Sequence, residues 1–599
     1  MKFKLLEELN SQQKKAVTYK NKPLLILAGA GSGKTKALTY RAAYLILKKD
    51  AQPEEILLVT FTNKAAEEMK RRMKGLVNHH SLPFAGTFHS FCARILRKEG
   101  KYLDISPSYL IYDKTDQRAL VKEVMKKLDL SPQRFKPEAV LAAIADAKNE
   151  LIGPQEYLSY ARGYFQETVA RTYLLYQNSL AKYQALDFSD LIFKTVALFR
   201  QNSPILEKYQ NLFRHILVDE YHDTNHAQYE LTKLLAKKRR QLAVVADCSQ
   251  SIYGWRGADF RNVLRLKKDF PQLKTINLEQ NYRSSKTILR AAFQVIKRNN
   301  SHPVLKLWTK NKGGEKIKIY RAADEKEEAG FIVQQIQSAV SHPEVDYSNF
   351  AILYRTNAQS RVLEEALLPS GLPYVLVGGV RFYERKEIKD VLAYLRLLIN
   401  PQDQLAFKRA EKLGKTRLKK FLSWQKKFKI KGKQAAEILK TVLQKTDYWQ
   451  RFDKKNEKDL ARIENIKELF SVCAEFPQLT NFLENVALVE EKYLPPEKPG
   501  QELEKNAVTL MTIHAAKGLE FETVFLAGLE EGLFPHSRSL LEKEKLEEER
   551  RLAYVGITRA KRNLFLTYSR RRLYFGRQNY NQVSRFIAAI PNNLLQFLS

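Results

Sequence analysis

Two rhythms of apolar and polar positions alternate along the chain. The first is a set of short, near-continuous apolar runs: LLILA (Leu24 to Ala28), ILLVTFT (Ile56 to Thr62), HILVDE (His215 to Glu220) and LAVVAD (Leu242 to Asp247). Such runs predict strands of a parallel sheet buried on both faces. Between Phe88 and about Phe188 they give way to helical periodicity with many Lys and Gln. Strand-like runs return with TINLEQNY, KIKIY, FAILYRT and YVLVGG, ending near Gly379. A second helical and very basic block extends from about Arg381 to Lys492. It closes at LPPEKPG (Leu494 to Gly500), read as a linker because its prolines cannot continue a helix. AVTLMTIH, TVFLAGL and NLFLTYS then resume the strands. The pattern predicts an α/β protein of two parallel-sheet domains, each interrupted by a helical insertion. The expected division places 1–88 and 189–280 in the first sheet domain, with 89–188 as its insertion. Residues 281–380 and 505–599 form the second, with 381–504 as a basic insertion.

Composition adds a partner to this outline. The chain of 599 residues is too long for one core, and at roughly 150 residues per domain about four are expected. The apolar fraction of 44% and charged fraction of 28% are ordinary for globular protein. The formal net charge of +36 is not, and it favours a polyanion, above all nucleic acid, over an anionic membrane surface. Cys92, Cys248 and Cys473 are too few and too scattered for a disulfide framework or a zinc cluster. MKFKLLEELN has no apolar signal core and no stretch is long enough to span a bilayer, so a cytoplasmic location is expected.

The chemistry is densest just after the first strand. AGAGSGKT (Ala28, Gly29, Ala30, Gly31, Ser32, Gly33, Lys34 and Thr35) leads from a strand into a helix. Small residues let backbone N–H groups turn around phosphate, Lys34 supplies a point charge, the Thr35 hydroxyl can ligate Mg²⁺, and the helix N-terminus adds its dipole. Such a loop needs an acidic partner strand, and LVDE provides it: Asp219 would hold Mg²⁺ through water and Glu220 would orient or deprotonate the attacking water. Gln250, Arg283 and Arg559 stand in or beside strand-edge loops, where residues that sense a γ-phosphate belong. Each alone would be an ordinary surface group; their value comes from the company they keep.

The ordered series of motifs resembles the superfamily 1 DNA helicases of the UvrD/Rep/PcrA group. LNSQQ, AGAGSGKT, TFTNKAAEEM, GTFHSF, VDEYHDTN, QSIYGWRGA, LEQNYRSS, LYRTNAQSR, LMTIHAAKGLEF and EEERRLAYVGITRAK follow one another as that family's motifs do, over about 1–395 and 505–590. The resemblance implies two RecA-like domains, ATP between them, and ATP-driven 3′-to-5′ movement along single-stranded DNA. It implies that Lys34, Thr35, Asp219 and Glu220 handle Mg²⁺–ATP and that Gln250, Arg283 and Arg559 sense its γ-phosphate. Gln13 and Tyr282 would contact adenine and Glu520 the ribose, while Lys36 stands where the family often has an arginine. Partners implied are single-stranded DNA and single-strand/duplex junctions, with the protein a monomer or weak dimer in repair or replication restart.

For DNA the residues and the resemblance converge. Phe61, Tyr253 and Trp255 are aromatics in loops after strands, and base stacking on such rings is worth roughly 1–3 kcal/mol each without regard to sequence. Phe61 alone reads better as core. Thr87, His89, Lys148, Asn149, Arg256, Asn357 and His514 sit in family motifs that touch the strand or couple it to ATP. His89 and His514 lack neighbours at metal-ligand spacing.

Three departures from the family stand out. His222 replaces a glutamine, and VADCSQ puts Ala246, Cys248 and Ser249 in place of the usual pattern around Asp247 and Gln250. In the second insertion a lysine-rich stretch, Glu411 to Gln434, stands where a proline- and glycine-rich duplex-contacting motif is expected. Its lysines could grip duplex backbone or form a solvated helix face. After SRFIAAIP no nuclease domain is read. The leading expectation is a DNA helicase; the alternatives are a translocase that strips proteins but unwinds weakly, and a DNA-binding scaffold with a degenerate ATPase.

Overall fold

The computed structural model describes residues 4–20, 22–77, 81–132, 134–239, 241–454, 456–492 and 506–598, without the side chains of 256, 488 and 490–492. The linker predicted at Leu494 to Gly500 and the Arg256 side chain therefore lie outside the described residues. The chain forms two compact units, Met1–Tyr282 with Asn300–Trp308, and Arg283–Asn299 with Thr309–Ser599.

The first unit contains β1 (Leu24–Ala28), β2 (Ile56–Thr60), β3 (Phe84–Thr87), β4 (Leu110–Tyr112), β5 (Ala185–Asp187), β6 (His215–Val218), β7 (Leu242–Ala246) and β8 (Lys274–Leu278). Six of them form a wholly parallel sheet in the order β3-β2-β6-β7-β1-β8. Side chains alternate across a strand, so neighbouring residues feed opposite cores. Leu25, Leu27, Leu57, Val59 and Val244 enter one; Leu24, Ile26, Ile56, Leu58 and Val245 enter the other. Both faces are buried, as the uniformly apolar runs require.

The N-terminal edge of the first insertion differs from the expectation. Helix Phe88–Glu99 buries Phe88, Phe91, Cys92, Ile95 and Leu96 in the sheet's own core, and Leu191, Ile192 and Val196 of helix Phe188–Gln201 join them. The insertion's separate core draws on Val121, Val124, Ile144, Tyr173 and Tyr176. The parallel pair β4–β5 stands at its neck. Residues 300–308 also group with this unit rather than with the second. Trp308 N–H donates to Glu279 O (3.0 Å), Asn281 N–H donates to Trp308 O (2.7 Å), and the Leu307 side chain fills the space that a Cβ on Gly29 would need.

The second unit contains β9 (Ile317–Ala322), β10 (Phe350–Tyr354), β11 (Tyr374–Leu376), β12 (Val508–Thr512), β13 (Phe521–Leu526), β14 (Ala560–Ser569), β15 (Arg572–Tyr574), β16 (Arg577–Asn579) and β17 (Leu595–Leu598). Seven form a parallel sheet in the order β11-β12-β10-β13-β14-β9-β17. Its helical insertion, beginning with helix Lys386–Ile399, has a core of its own that includes Ile388, Val391, Phe421, Leu439, Ile466 and Phe482. Buried polar groups tie this insertion to the sheet: Arg361 meets Glu468 at 2.9 Å, and Arg385 donates to Asn465 at 2.8 Å. Among the described residues no helix is long and apolar enough to cross a membrane.

Candidate nucleotide site and nucleic-acid interface

In the first unit β1 runs into the loop Gly29 to Gly33 and then helix Lys34–Leu47. Gly31 (φ 63°) and Gly33 (φ 81°) adopt left-handed backbone, which side chains resist. That conformation, with the helix N-terminus beyond it, turns backbone donors inward around a space suited to an anion. Ser32 Oγ donates to Gly29 O (2.8 Å), and Asn281 Nδ2 donates to Ala30 O (2.6 Å). Gln13, almost fully buried, donates through Nε2 to Ser32 O at 2.9 Å. Tyr282 N–H donates to Gly31 O at 2.9 Å, while its half-exposed ring accepts at the hydroxyl from Asn10 Nδ2 (2.7 Å). Lys36 turns to the Glu8 carbonyl at 3.0 Å and lies 5.1 Å from the Tyr40 ring centre.

Strand β6, parallel to β2 and β7, delivers the carboxylates to the same end of the sheet. Thr35 Oγ1 donates to Asp219 Oδ2 at 2.8 Å, and Lys34 Nζ lies 3.4 Å from Glu220 Oε2. Glu220 holds a left-handed φ of 50°, strain of the kind found where a side chain must be aimed. Burial first, and the adjacent Glu220 charge second, push the Asp219 carboxyl up to about 6; the Thr35 hydroxyl and Lys34 act the other way. A buried carboxylate short of positive charge beside a hydroxyl is a hard-oxygen donor set that fits a divalent cation such as Mg²⁺.

At the end of β7, Gln250 is buried and donates through Nε2 to Asp247 Oδ2. Asp247 Oδ1 accepts from Ser249 N–H (3.1 Å), and Ser249 Oγ meets His302 Nε2 at 3.2 Å. Beyond that turn Tyr253 and Trp255 pack edge to face, centroids 6.4 Å apart, with Trp255 44% exposed. Phe61 packs at 5.8 Å on Phe88 and is half-buried against the sheet's core, as its alternative reading allows. Thr87 caps helix Phe88–Glu99 by accepting from Ser90 N–H at 3.2 Å. His89 sits 5.9 Å from the exposed ring of Phe188, and burial holds its imidazole below the ordinary histidine range. Asn149 Oδ1 accepts from Asn225 Nδ2 at 3.0 Å.

Lys148 narrows the sequence reading to its coupling half. It is fully buried, 2.7 Å from Asp187 Oδ2 and 2.9 Å from Asp190 Oδ1, with the Tyr176 ring 5.3 Å away. It braces the insertion, and its side chain does not reach the surface. The sequence does not single out Phe188, Asn225 or His302; only the Asp-Phe step that caps a helix hints at the first.

In the second unit Arg283 Nε donates to Glu520 Oε2 (2.6 Å) and its Nη1 to Thr558 O (3.2 Å). Arg283 and then Lys561 outweigh burial and hold the Glu520 carboxyl below its usual range. Arg559 is buried, donating to Val555 O at 3.0 Å and Leu519 O at 3.2 Å. Asn357 O accepts from Arg385 Nη1 (3.0 Å), and His514, after β12, is half-buried.

A glycine-rich loop between strand and helix, facing strand-end carboxylates on a parallel sheet, defines an α/β protein of the P-loop type. Residues 9–271 match the UvrD/REP helicase N-terminal domain, and 276–431 with 411–571 match the UvrD-like helicase C-terminal domain. The chain is 46% identical to the ATP-dependent DNA helicase PcrA of Bacillus subtilis, over 99% of this chain and 87% of that one. It is 43% identical to the PcrA helicases of Staphylococcus aureus and Staphylococcus epidermidis with the same coverage. The chain belongs to the UvrD/REP helicase family.

Proposed function

We propose that the protein is an ATP-dependent DNA helicase that moves 3′ to 5′ on single-stranded DNA and opens duplex at junctions. The observation that carries this reading is the convergence, within one unit, of Lys34 on Glu220 and of Thr35 on Asp219. Lys34 and the loop amides hold the β- and γ-phosphates, and Gln13 and Tyr282 bracket the adenine. Glu220 accepts the proton of a water whose oxygen bonds to the γ-phosphorus as the bond to the bridging oxygen breaks. Thr35 and Asp219 would hold Mg²⁺, which would neutralise phosphate charge. Gln250, Arg283 and Arg559 respond to the γ-phosphate, Arg559 already fixed by the carbonyls it binds. Glu520 leaves its pairing with Arg283 to reach the ribose. Tyr253 and Trp255 offer stacking faces to successive bases, with Phe61, Thr87, His89, Asn149, Arg256, Asn357 and His514 along the strand's path. The working division is four-part, two sheet domains each with its insertion.

The test is ATP hydrolysis and strand separation on partial duplexes with 3′ or 5′ tails. DNA-stimulated turnover with opening of the 3′-tailed substrate is expected, and Lys34→Ala should lose both. Equal opening of both tails would refute the polarity.

A further inference from the structure

His222 is the residue at which the carboxylate motif departs from the family's glutamine, and its surroundings give it work. The ring is completely buried. Its Nδ1 accepts from the backbone N–H of Asp247 at 3.0 Å. A neutral imidazole carries one proton, so with Nδ1 accepting, that proton resides on Nε2. Nε2 lies 3.2 Å from Glu220 Oε2 and 3.7 Å from Asp223 Oδ1. Lys34 Nζ approaches the same Glu220 oxygen at 3.4 Å, so nitrogens from two different elements flank Oε2, which accepts no hydrogen bond from either in this structure. Ser251 Oγ donates to the His222 carbonyl at 3.3 Å, fixing the backbone from which the ring projects.

We propose that His222 is a positioning residue for ATP hydrolysis: its ring, anchored to the end of β7 by the Asp247 amide, stands against the strained Glu220 carboxylate at 3.2 Å and limits where that carboxylate can turn. The inference rests on the assignment of Glu220 as the base. Glu220 projects from a left-handed backbone at a partly exposed strand end, where its side chain has rotamers to choose among. A ring anchored by a backbone amide and packed 3.2 Å from the carboxylate narrows that choice. His222 acts through Glu220 and does not touch the reacting atoms. Removing it leaves the phosphate-binding loop intact, so ATP affinity should survive while turnover falls.

Four proteins decide the matter: wild type, His222→Leu, His222→Asn and His222→Gln. Glutamine separates an acceptor and a donor by about the span of the two ring nitrogens, so it can serve both Asp247 and Glu220. Asparagine is one methylene shorter and reaches only the nearer partner. DNA-stimulated kcat should fall about tenfold or more in His222→Leu and His222→Asn, with KM for ATP changed less than about twofold. His222→Gln should keep kcat within about threefold of wild type. If the leucine variant does not fold, as read by its melting curve, the asparagine variant carries the test. Wild-type kcat in either, or a glutamine variant as impaired as they are, would overturn the positioning role. A wild-type protein without ATP turnover would instead overturn the functional reading beneath it.

Discussion

The two helical insertions hold their positive charge in opposite ways. In the first, Lys148 is fully buried between Asp187 and Asp190, with Tyr176 donating to the same Asp187 oxygen at 3.1 Å. In the second, Lys408 and Lys412 of helix Gln404–Lys412, Lys415 and Lys419 of helix Lys415–Gln425, and Lys426 and Lys427 beyond them are all exposed. None of these six has an ion-pair partner among the described residues, whereas nearby Lys420 and Lys433 pair with Asp447 and Glu437. The spacing shows why. Ala406, Ala410, Leu418 and Phe421 face the core, and lysines four residues apart fall on the opposite side. The same side chain is a structural brace in one insertion and an open charge in the other. Net charge, which counts both alike, says nothing about which is available to a polyanion.

The sharpest way to break this contrast is Lys148→Met. It leaves two carboxylates buried without their cation, and such a break costs about 3–5 kcal/mol. Chemical denaturation should show the loss, while wild-type stability with weakened DNA binding would put Lys148 back at the interface. The same variant has a pH signature. Burial first, then the Asp187 charge, already raise the Asp190 carboxyl, and Lys148 restrains that rise. Without Lys148 the folded protein binds protons more readily than the unfolded chain. Stability of Lys148→Met should therefore increase as pH is lowered from 7 towards 5, and fall again as pH rises. A variant equally unstable across that range would show that the destabilisation comes from packing rather than charge.

Legibility in the sequence follows the same divide. The strands buried on both faces are readable because every residue in them is apolar, and β1, β6 and β7 fall within the expected runs. β3 escapes such a reading because Phe84–Thr87 is short and contains a glycine. β17 escapes it because only Leu595 of its four residues is buried. The phosphate-binding loop is readable since its chemistry is local, fixed by consecutive residues. Lys148 misleads because its partners lie 39 and 42 positions away, and no local pattern announces a buried pair. The Asp247–His222–Glu220 chain is visible in sequence only as a departure; its meaning comes from two strands being adjacent in a sheet.

The smallest effect, and the one that tests the open half of the contrast, comes from neutralising Lys415, Lys419, Lys426 and Lys427 together to Gln. These side chains are exposed and unpaired among the described residues, so folding stability should change by less than about 0.5 kcal/mol. If the surface lies along duplex phosphates, the dependence of log affinity on log salt for a tailed duplex should become shallower by about 0.9 for each phosphate no longer neutralised. Binding to single strands alone, and ATP turnover stimulated by them, should be unaffected, because that strand's proposed stacking platform, Tyr253 and Trp255, belongs to the first unit. An unchanged slope on the tailed duplex would return these lysines to a solvated face. The surplus charge of the second insertion would then serve solubility rather than grip, and the contrast would be between a brace and a coating.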